Sequence, residues 1–287
     1  MEKCYLCAEG PLQAVYEHSS GCLLVRCPAC GLLYFPQAPS HEYWSSQNIE
    51  VYTLPEVQQE ERRKFHRYLD WLASELPAGK VLDYGCGIGT FIECALERGW
   101  QAHGVEASQE IVRYAQRERK LPIWHLQEWS PEVYDAITLW DVLEHLDDPR
   151  GTLQGLVQHL KAGGLLMLET PDANFILRRL GLQASRLSRG AFDLARFFFY
   201  PDHRYYFSAK TIALLVEQVG LELRWIRQGT TPIPKVMGKL RRVHRASWMI
   251  QGMARLALAS AQIVGGNKLI LCARLPAHPK TLKIQTP

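Results

Sequence analysis

The sequence predicts an α/β fold: a mostly parallel sheet with an antiparallel edge strand, helices on both faces, and a small cysteine-bearing module ahead of it. Three observations carry this reading. From Lys80 to Gln228 strand-like and helix-like patterns alternate, the sign of a parallel sheet whose crossovers are helices. One strand pattern runs directly into a Gly-x-Gly-x-Gly turn, Gly85, Gly87 and Gly89, that opens a helix. Two Cys-x-x-Cys pairs, Cys4 with Cys7 and Cys27 with Cys30, precede the alternation. At 287 residues, 47% hydrophobic and 22% charged, the chain is long and apolar enough to bury such a core.

Taken in order, residues 1–40 form a loop-rich module that Pro36 and Pro39 punctuate at its exit. A linker with Tyr43, Trp44 and Tyr52 follows. Between Pro55 and Leu76 the apolar residues Val57, Phe65, Tyr68, Leu69, Leu72 and Leu76 recur at helical spacing among charges, and Pro77-Ala78-Gly79 stops the helix. Strands are then expected at Lys80–Tyr84, Gln101–Val105, Pro122–His125, Ala136–Trp140 and Leu165–Glu169. The helices between them fall at Thr90–Arg98, Gln109–Arg119 and Arg150–Leu160. Thr211–Val219 reads as a further helix and Glu222–Gln228 as a strand, with Lys268–Arg274 as its antiparallel edge partner. Two segments stand outside the alternation. Loops at the carboxyl ends of strands line the ligand crevice of an open α/β sheet, so 172–205, rich in Arg and aromatic residues, is assigned to a substrate cap. Residues 232–264 form a basic and apolar insertion.

The glycine turn carries the chemistry. A buried strand, Val81-Leu82-Asp83-Tyr84, delivers it to the start of a helix, where main-chain N–H groups and the positive end of the helix dipole meet a ligand. Glu106 ends the next strand, where an acid can accept both ribose hydroxyl hydrogens of an adenosine. A dinucleotide fingerprint would place a third glycine where Thr90 stands and does not require Asp83, and no Gly-Lys-Ser/Thr follows to make a P-loop.

The strings VLDYGCGIGTF, GVEAS, YDAITLWDVLEHLDDP and LKAGGLLMLETPD, followed by HRYYFSAKTIALLVEQVGLEL, resemble motifs of class I S-adenosylmethionine-dependent methyltransferases. The resemblance spans roughly residues 60–228 and is closest to the branch that includes ubiquinone-biosynthesis O-methyltransferases. It implies a Rossmann-like methyltransferase domain over 41–287 with S-adenosyl-L-methionine as cofactor. By that resemblance Asp83, Tyr84 and the backbone of Gly85, Cys86, Gly87 and Gly89 hold the methionine part of the donor. Glu106 and Ala107 take the ribose, His125 and Leu126 flank the adenine, and Asp141 completes the set. Many relatives carry Asp where His125 stands.

A sulfonium donor arrives activated, so the protein mainly aligns a nucleophile and excludes water. His145, after the strand at 136–140, is the candidate base, since imidazole titrates near neutral pH; bracing the following turn is its alternative role. Asp141, Glu144 and His145 also resemble the acid-x-x-Glu-His cluster that binds a divalent ion in the ubiquinone-pathway enzymes, where Glu usually stands in place of Asp141; a structural role is preferred here.

Cys4-x2-Cys7 and Cys27-x2-Cys30, separated by 19 residues, match the paired knuckles of a zinc ribbon, with Gly31 after the last ligand. Four thiolates make a closed Zn²⁺ site, structural and not catalytic. Cys22, Cys86, Cys94 and Cys272 lack partners at ligand spacing. No signal-peptide pattern and no uninterrupted apolar run of ~20 residues is present, so a cytoplasmic location is expected. Trp248–Val264 is apolar enough to pack on the core or to lie in a membrane interface, peripheral to the inner face, while Gln251, Arg255 and Gln262 argue against spanning.

The net charge of +4 hides an asymmetry: residues 223–287 hold twelve Lys and Arg and no acid. Arg178, Arg179, Arg186, Arg189 and Arg196 in the cap, and Lys235, Lys239, Arg241, Arg242 and Arg245 in the insertion, point to an anionic acceptor. The leading expectation is methyl transfer to a small anionic or lipid-linked metabolite, with oxygen the expected acceptor atom. An RNA substrate is the second, since a zinc knuckle and a basic surface suit nucleic acid. Against it, Trp140-Asp141-Val142 stands where amino-directed base methylation uses Asn/Asp-Pro-Pro-aromatic, and there is no Pro-Cys pair for cytosine C5 attack. A non-catalytic cofactor-binding protein is the third.

Overall fold

The computed structural model describes residues 3–38, 46–188, 193–235, 237 and 266–277. The chain opens with three short strands, β1 (Gln13–Glu17), β2 (Leu23–Arg26) and β3 (Leu33–Tyr34), then two helices, α1 (Ser46–Tyr52) and α2 (Pro55–Glu75). The expected alternation follows: β4 (Lys80–Tyr84), α3 (Thr90–Glu97), β5 (Gln101–Glu106), α4 (Gln109–Glu118), β6 (Ile123–His125), β7 (Tyr134–Trp140), α5 (Pro149–Val157) and β8 (Leu160–Pro171). The chain continues through α6 (Ile176–Leu187), β9 (Tyr205–Tyr206), α7 (Ala209–Gln218), β10 (Glu222–Gly229) and β11 (Lys268–Arg274).

Local chemistry sets these boundaries. Ser108 accepts from the N–H of Ile111 at the start of α4, and Asp148 accepts from Gly151 with Pro149 in the first turn of α5. Ser208 and Thr211 form a reciprocal capping box on α7. β8 is buried almost throughout, the mark of a strand covered on both faces.

Seven strands make the main sheet in the order β10-β11-β8-β7-β4-β5-β6. β6, β5, β4, β7 and β8 are mutually parallel, and β11 is antiparallel to both β8 and β10. The carboxyl ends of β4, β5, β7, β8 and β10 therefore share one edge with Lys268, the first residue of β11, which pairs with Pro171. One sheet face packs against α2, α3 and α4 through Phe65, Leu69, Phe91 and Val112; the other packs against α5 and α7 through Leu153, Ile212 and Leu215.

The N-terminal strands form a second sheet, β1-β2-β3-β9, whose last strand comes from the assigned cap. Leu33 pairs with Tyr206 and Tyr34 with Tyr205. Tyr16 donates its hydroxyl to Asp193 at 2.8 Å, and Arg204 donates to the carbonyl of Ala38 at 2.9 Å. Arg150 donates to the carbonyls of Tyr5 and Leu6, and Gln218 reaches Leu6 as well. Cys4, Leu6, Val25 and Leu32 lie in the same apolar cluster as Leu82, Leu139 and Leu166. The cysteine-bearing segment is thus built onto one face of the α/β core and into the cap.

Several elements escape the sequence reading: β1, β2 and β3 lie in the module expected to be loop-rich, α1 in the expected linker, α6 in the expected cap, and β9 at the carboxyl end of that cap. Of the 232–264 insertion, Lys235 and Met237 are buried; Lys239, Arg241, Arg242, Arg245 and Trp248–Val264 lie outside the described residues, as does Arg189.

Candidate active site

The turn after β4 has left-handed backbone at all three glycines, with φ of 76° at Gly85, 54° at Gly87 and 82° at Gly89. The three differ in what a side chain would meet. A Cβ on Gly85 would strike Val142 at 2.5 Å, and one on Gly89 would strike Leu121 and Ile123, so those glycines permit close packing. A Cβ on Gly87 would meet nothing within 4 Å. Gly87 therefore borders open space at the carboxyl edge, where a ligand can approach the backbone.

Glu106 faces the same turn. Its carboxylate accepts from the N–H groups of Gly87 at 3.0 Å, Ala107 at 2.7 Å and Ser108 at 2.9 Å. A carboxylate offers about four acceptor positions, so this set leaves room for a hydroxyl. Burial pushes Glu106 up from the usual carboxylate range while the three amides pull it down. His125, paired with Glu106 across β5 and β6, meets the carbonyl of Ala107 through Nε2 at 2.9 Å and accepts from the N–H of Gln127 at Nδ1. A carbonyl only accepts, so Nε2 carries the proton and the ring fixes the loop that follows β5. Leu126 donates its N–H to the carbonyl of Glu106 at 2.9 Å.

Asp83 is buried beneath the turn and accepts from Thr138 at 2.8 Å. Burial pushes its carboxyl up to about 8, and the Thr138 bond offsets only part of that. Tyr84 is half-buried beside it, and Cys86 tucks under Gly104, where burial raises its thiol well above the ordinary value. α1 roofs this region, its Val51 and Tyr52 packing with Ile88 of the turn and Ile111 of α4.

Asp141 follows β7 with a left-handed φ of 57° and donates its N–H to the carbonyl of Glu169. Its carboxylate meets the ammonium groups of Lys268 and of Lys235, the latter at 3.3 Å. Although burial acts upward on Asp141, Lys268 and Lys235 hold it well below the usual range. The ion pairs continue: Lys235 reaches Glu61 at 3.4 Å, Lys64 reaches Glu61 at 2.9 Å and Glu169 at 3.4 Å, and Tyr68 bonds Glu169. This network ties α2 to the carboxyl ends of β7 and β8 and to the start of β11.

His145 lies at the crevice edge, its Nδ1 at 2.7 Å from the carbonyl of Asp202 and its ring T-shaped on His203 at 4.6 Å. Glu144 points inward, accepts from Thr170 at 3.0 Å and is pushed up to about 8 by burial and by Asp141. Side-chain donor atoms of Glu144, His145 and His203 fall within 4.8 Å of one another, whereas Asp141 turns to its two lysines. The acid-x-x-Glu-His string thus does not converge as a unit.

A family model described as a methyltransferase domain matches residues 56–224, more than half of the chain. The chain belongs to that family. A ubiquinone biosynthesis O-methyltransferase of Dechloromonas aromatica is 29% identical over 146 residues, 45% of this chain and 63% of that protein. The chain thus spans less than two thirds of that relative's length. A SAM-dependent methyltransferase from Archaeoglobus fulgidus superposes with a TM-score of 0.50 at 18% identity, covering 76% of this chain and 94% of that one. Magnesium protoporphyrin IX methyltransferase of Synechocystis PCC 6803, solved with bound SAH, gives a TM-score of 0.52 at 16% identity, covering 79% and 92%. These two likenesses establish the fold.

Within this methyltransferase domain the structure brings Asp83, Gly87, Glu106, Ala107, His125 and Leu126 to one end of β4 and β5. Sequence reasoning missed Thr138, Lys268 and Glu61, whose roles depend on contacts more than 50 residues apart in the chain, and Lys235, expected to face an anionic acceptor, is instead buried on Asp141 and Glu61. Of the cap arginines, Arg178 is buried on the carbonyls of Asp172 and Phe198, and Arg186 donates to the carbonyl of Val15; both hold the cap together.

The sulfurs of Cys4, Cys7, Cys27 and Cys30 converge within 4.8 Å of one another. Cys4 and Cys30 are 3.6 Å apart and Cys7 and Cys27 3.5 Å apart, and all four are free. A tetrahedron with metal–sulfur bonds of about 2.3 Å has edges of about 3.8 Å, whereas a disulfide needs about 2 Å. The main-chain N–H groups of Leu6 and Cys30 point to Cys4 and Cys27 at 3.4 and 3.5 Å. This is the arrangement of a small zinc-ribbon-like module.

Proposed function

We propose that this chain transfers a methyl group from S-adenosylmethionine to an oxygen of a small anionic or lipid-linked metabolite. The observation that carries the reading is the convergence of three main-chain N–H groups on Glu106 beside Gly87, the glycine whose missing side chain leaves space for a ligand. Glu106 would take the ribose hydroxyls, His125 and Leu126 would border the base, and Asp83, Tyr84 and the glycine backbone would face the methionine part. When bound, the sulfonium supplies an already activated methyl group.

The rest is positioning and proton handling by this chain. α1 covers the turn and excludes water. Because the carbonyl of Asp202 only accepts, His145 carries a proton on Nδ1, which makes Nε2 the ring nitrogen that would take a proton from an acceptor hydroxyl. The oxygen and the lipid-linked class follow from the likeness to ubiquinone biosynthesis O-methyltransferases. The four cysteines fit a Zn²⁺ ion that would fasten β1–β3 to the cap, a structural role remote from methyl transfer. The setting proposed is cytoplasmic, peripheral to the inner face of the membrane.

Radiolabelled S-adenosylmethionine, offered with aqueous and lipid fractions of a cell extract, tests the reading. Label is expected in a small organic-soluble product, with His145→Ala lowering turnover about 10²- to 10⁴-fold at unchanged donor affinity. Label in RNA, or a calorimetric donor affinity unchanged by Glu106→Ala, would remove the assignment.

A further inference from the structure

α6 is amphipathic in the wrong sense for a helix of a water-soluble protein. The residues it buries are Arg178, Gly181 and Ser185, while Ile176, Leu180 and Leu187 face outward. At 100° per residue the three outward residues fall within about 40° of one another, with Arg179 and Arg186 along one border of the strip. Gly181 explains the inversion: a Cβ there would lie 3.0 Å from Phe198, so the aromatic segment beyond α6 takes up the small side of the helix. That segment itself exposes Leu194 and Phe197, the latter carrying Arg196 over its ring at 4.8 Å. Leu187 is 87% exposed, Leu180 50% and Phe197 47%.

Charge decides what such a surface meets. Between Asp172 and Asp193 the sequence has no acidic residue. Both flanking acids are committed internally, Asp172 to the N–H of Asn174 and Asp193 to Tyr16, Ser185 and the N–H of Arg196. An apolar strip bordered by arginines, in a segment whose own sequence adds no carboxylate, complements the headgroup and acyl boundary of an anionic bilayer. No helix among the described residues is long and apolar enough to cross a membrane. α6 begins four residues beyond the carboxyl end of β8, so a bilayer seated there lies beside the crevice.

We infer that the outer face of α6 docks this protein on an anionic phospholipid surface and presents the crevice to a lipid-borne acceptor. The inference rests on the lipid-linked reading of the acceptor. Docking is measured without donor or acceptor, however, so its failure is distinguishable from a failure of methyl transfer.

The experiment is co-sedimentation of the full chain with vesicles of phosphatidylcholine alone and of phosphatidylcholine with phosphatidylglycerol. Binding is expected to the anionic vesicles, to fall with added salt, and to drop about tenfold or more in the double variant Leu180→Ser, Leu187→Ser. Arg179→Gln is expected to weaken it about fivefold, and Leu96→Ser, an exposed leucine on α3, to leave it unchanged. The double variant alters only exposed side chains, and an unchanged circular dichroism spectrum and melting curve verify its fold; should it misfold, Arg179→Gln decides. Absence of vesicle binding by the parent chain, or binding by the double variant equal to the parent, overturns the inference; the second result would place the contact elsewhere, with the apolar stretch 248–264 the next segment to test.

Discussion

The N–H of Gly87 and the carboxylate of Glu106 meet at 3.0 Å, fastening the turn after β4 to the end of β5. The bond does two things: it holds Gly87 in its left-handed conformation and aims the carboxylate into the space beside it. Glu106→Gln keeps the shape but sets an amide NH₂ against a main-chain N–H. Loss of one charge-assisted hydrogen bond costs about 1.5–3 kcal/mol, so the Kd for S-adenosylmethionine is expected to rise about 10- to 100-fold by calorimetry. Gly87→Ala, which strains the backbone and fills the opening, is expected to abolish binding with little change in fold. Binding retained in both variants would detach the donor from this turn.

Asp83 makes the crevice sensitive to pH. Burial raises its carboxyl to about 8 in the folded protein, against about 3.9 in an unfolded chain. A raised folded value means the native state holds the proton more tightly. The stability this contributes is complete below about pH 4 and is lost as pH rises through 8. Glu144, also near 8, acts in the same direction. Melting temperature is expected to fall between pH 5 and 9, and Asp83→Asn to flatten that profile. A slope in the variant equal to that of the parent would show that Asp83 is ionised in the native state.

Much of this was legible in the sequence for a physical reason. Buried parallel strands, helix caps and a glycine turn are local signals, so β4 to β8, β10 and β11 could be read from residues near one another. Glu106 could be placed because its distance from Gly85 is fixed by one helix and one strand. What stayed hidden depends on contacts distant in sequence. α6 was invisible because Ile176, Leu180 and Leu187 point outward and Gly181 sits at its centre. β9 is two residues long and exists through its pairing with β3. Asp141 read as a ligand-binding acid, while its two lysines lie 94 and 127 residues further along the chain.

Those two lysines make Asp141 a stability determinant. Removing one partner of a buried ion pair leaves an uncompensated charge and costs about 3–5 kcal/mol. Asp141→Asn keeps a residue type that tolerates positive φ yet strips Lys235 and Lys268 of their shared anion. Denaturant titration is expected to show a loss of that size. Lys268→Met, which leaves Lys235 to neutralise Asp141, is expected to cost less. Equal stability of Asp141→Asn and the parent would mean that water already solvates the cluster.

The cysteine centre and the cap should come apart together. β3 joins the N-terminal sheet to β9, and the Cys4-to-Cys30 cluster sets the shape of the loops that present β3. Burial raises the thiols of Cys4 and Cys30, and a divalent ion would let all four cysteines ionise. Elemental analysis is expected to give one zinc per chain, and Cys27→Ser to lose it. In that variant amide hydrogen exchange should quicken at Leu33–Tyr34 and, across the pairing, at Tyr205–Phe207, while β4 and β5, held by the central sheet, keep their protection. Faster exchange confined to residues 3–38 would show that the cap stands without the module. A folded protein free of metal, with protection at Tyr205 intact, would show that the four sulfurs cluster for packing alone.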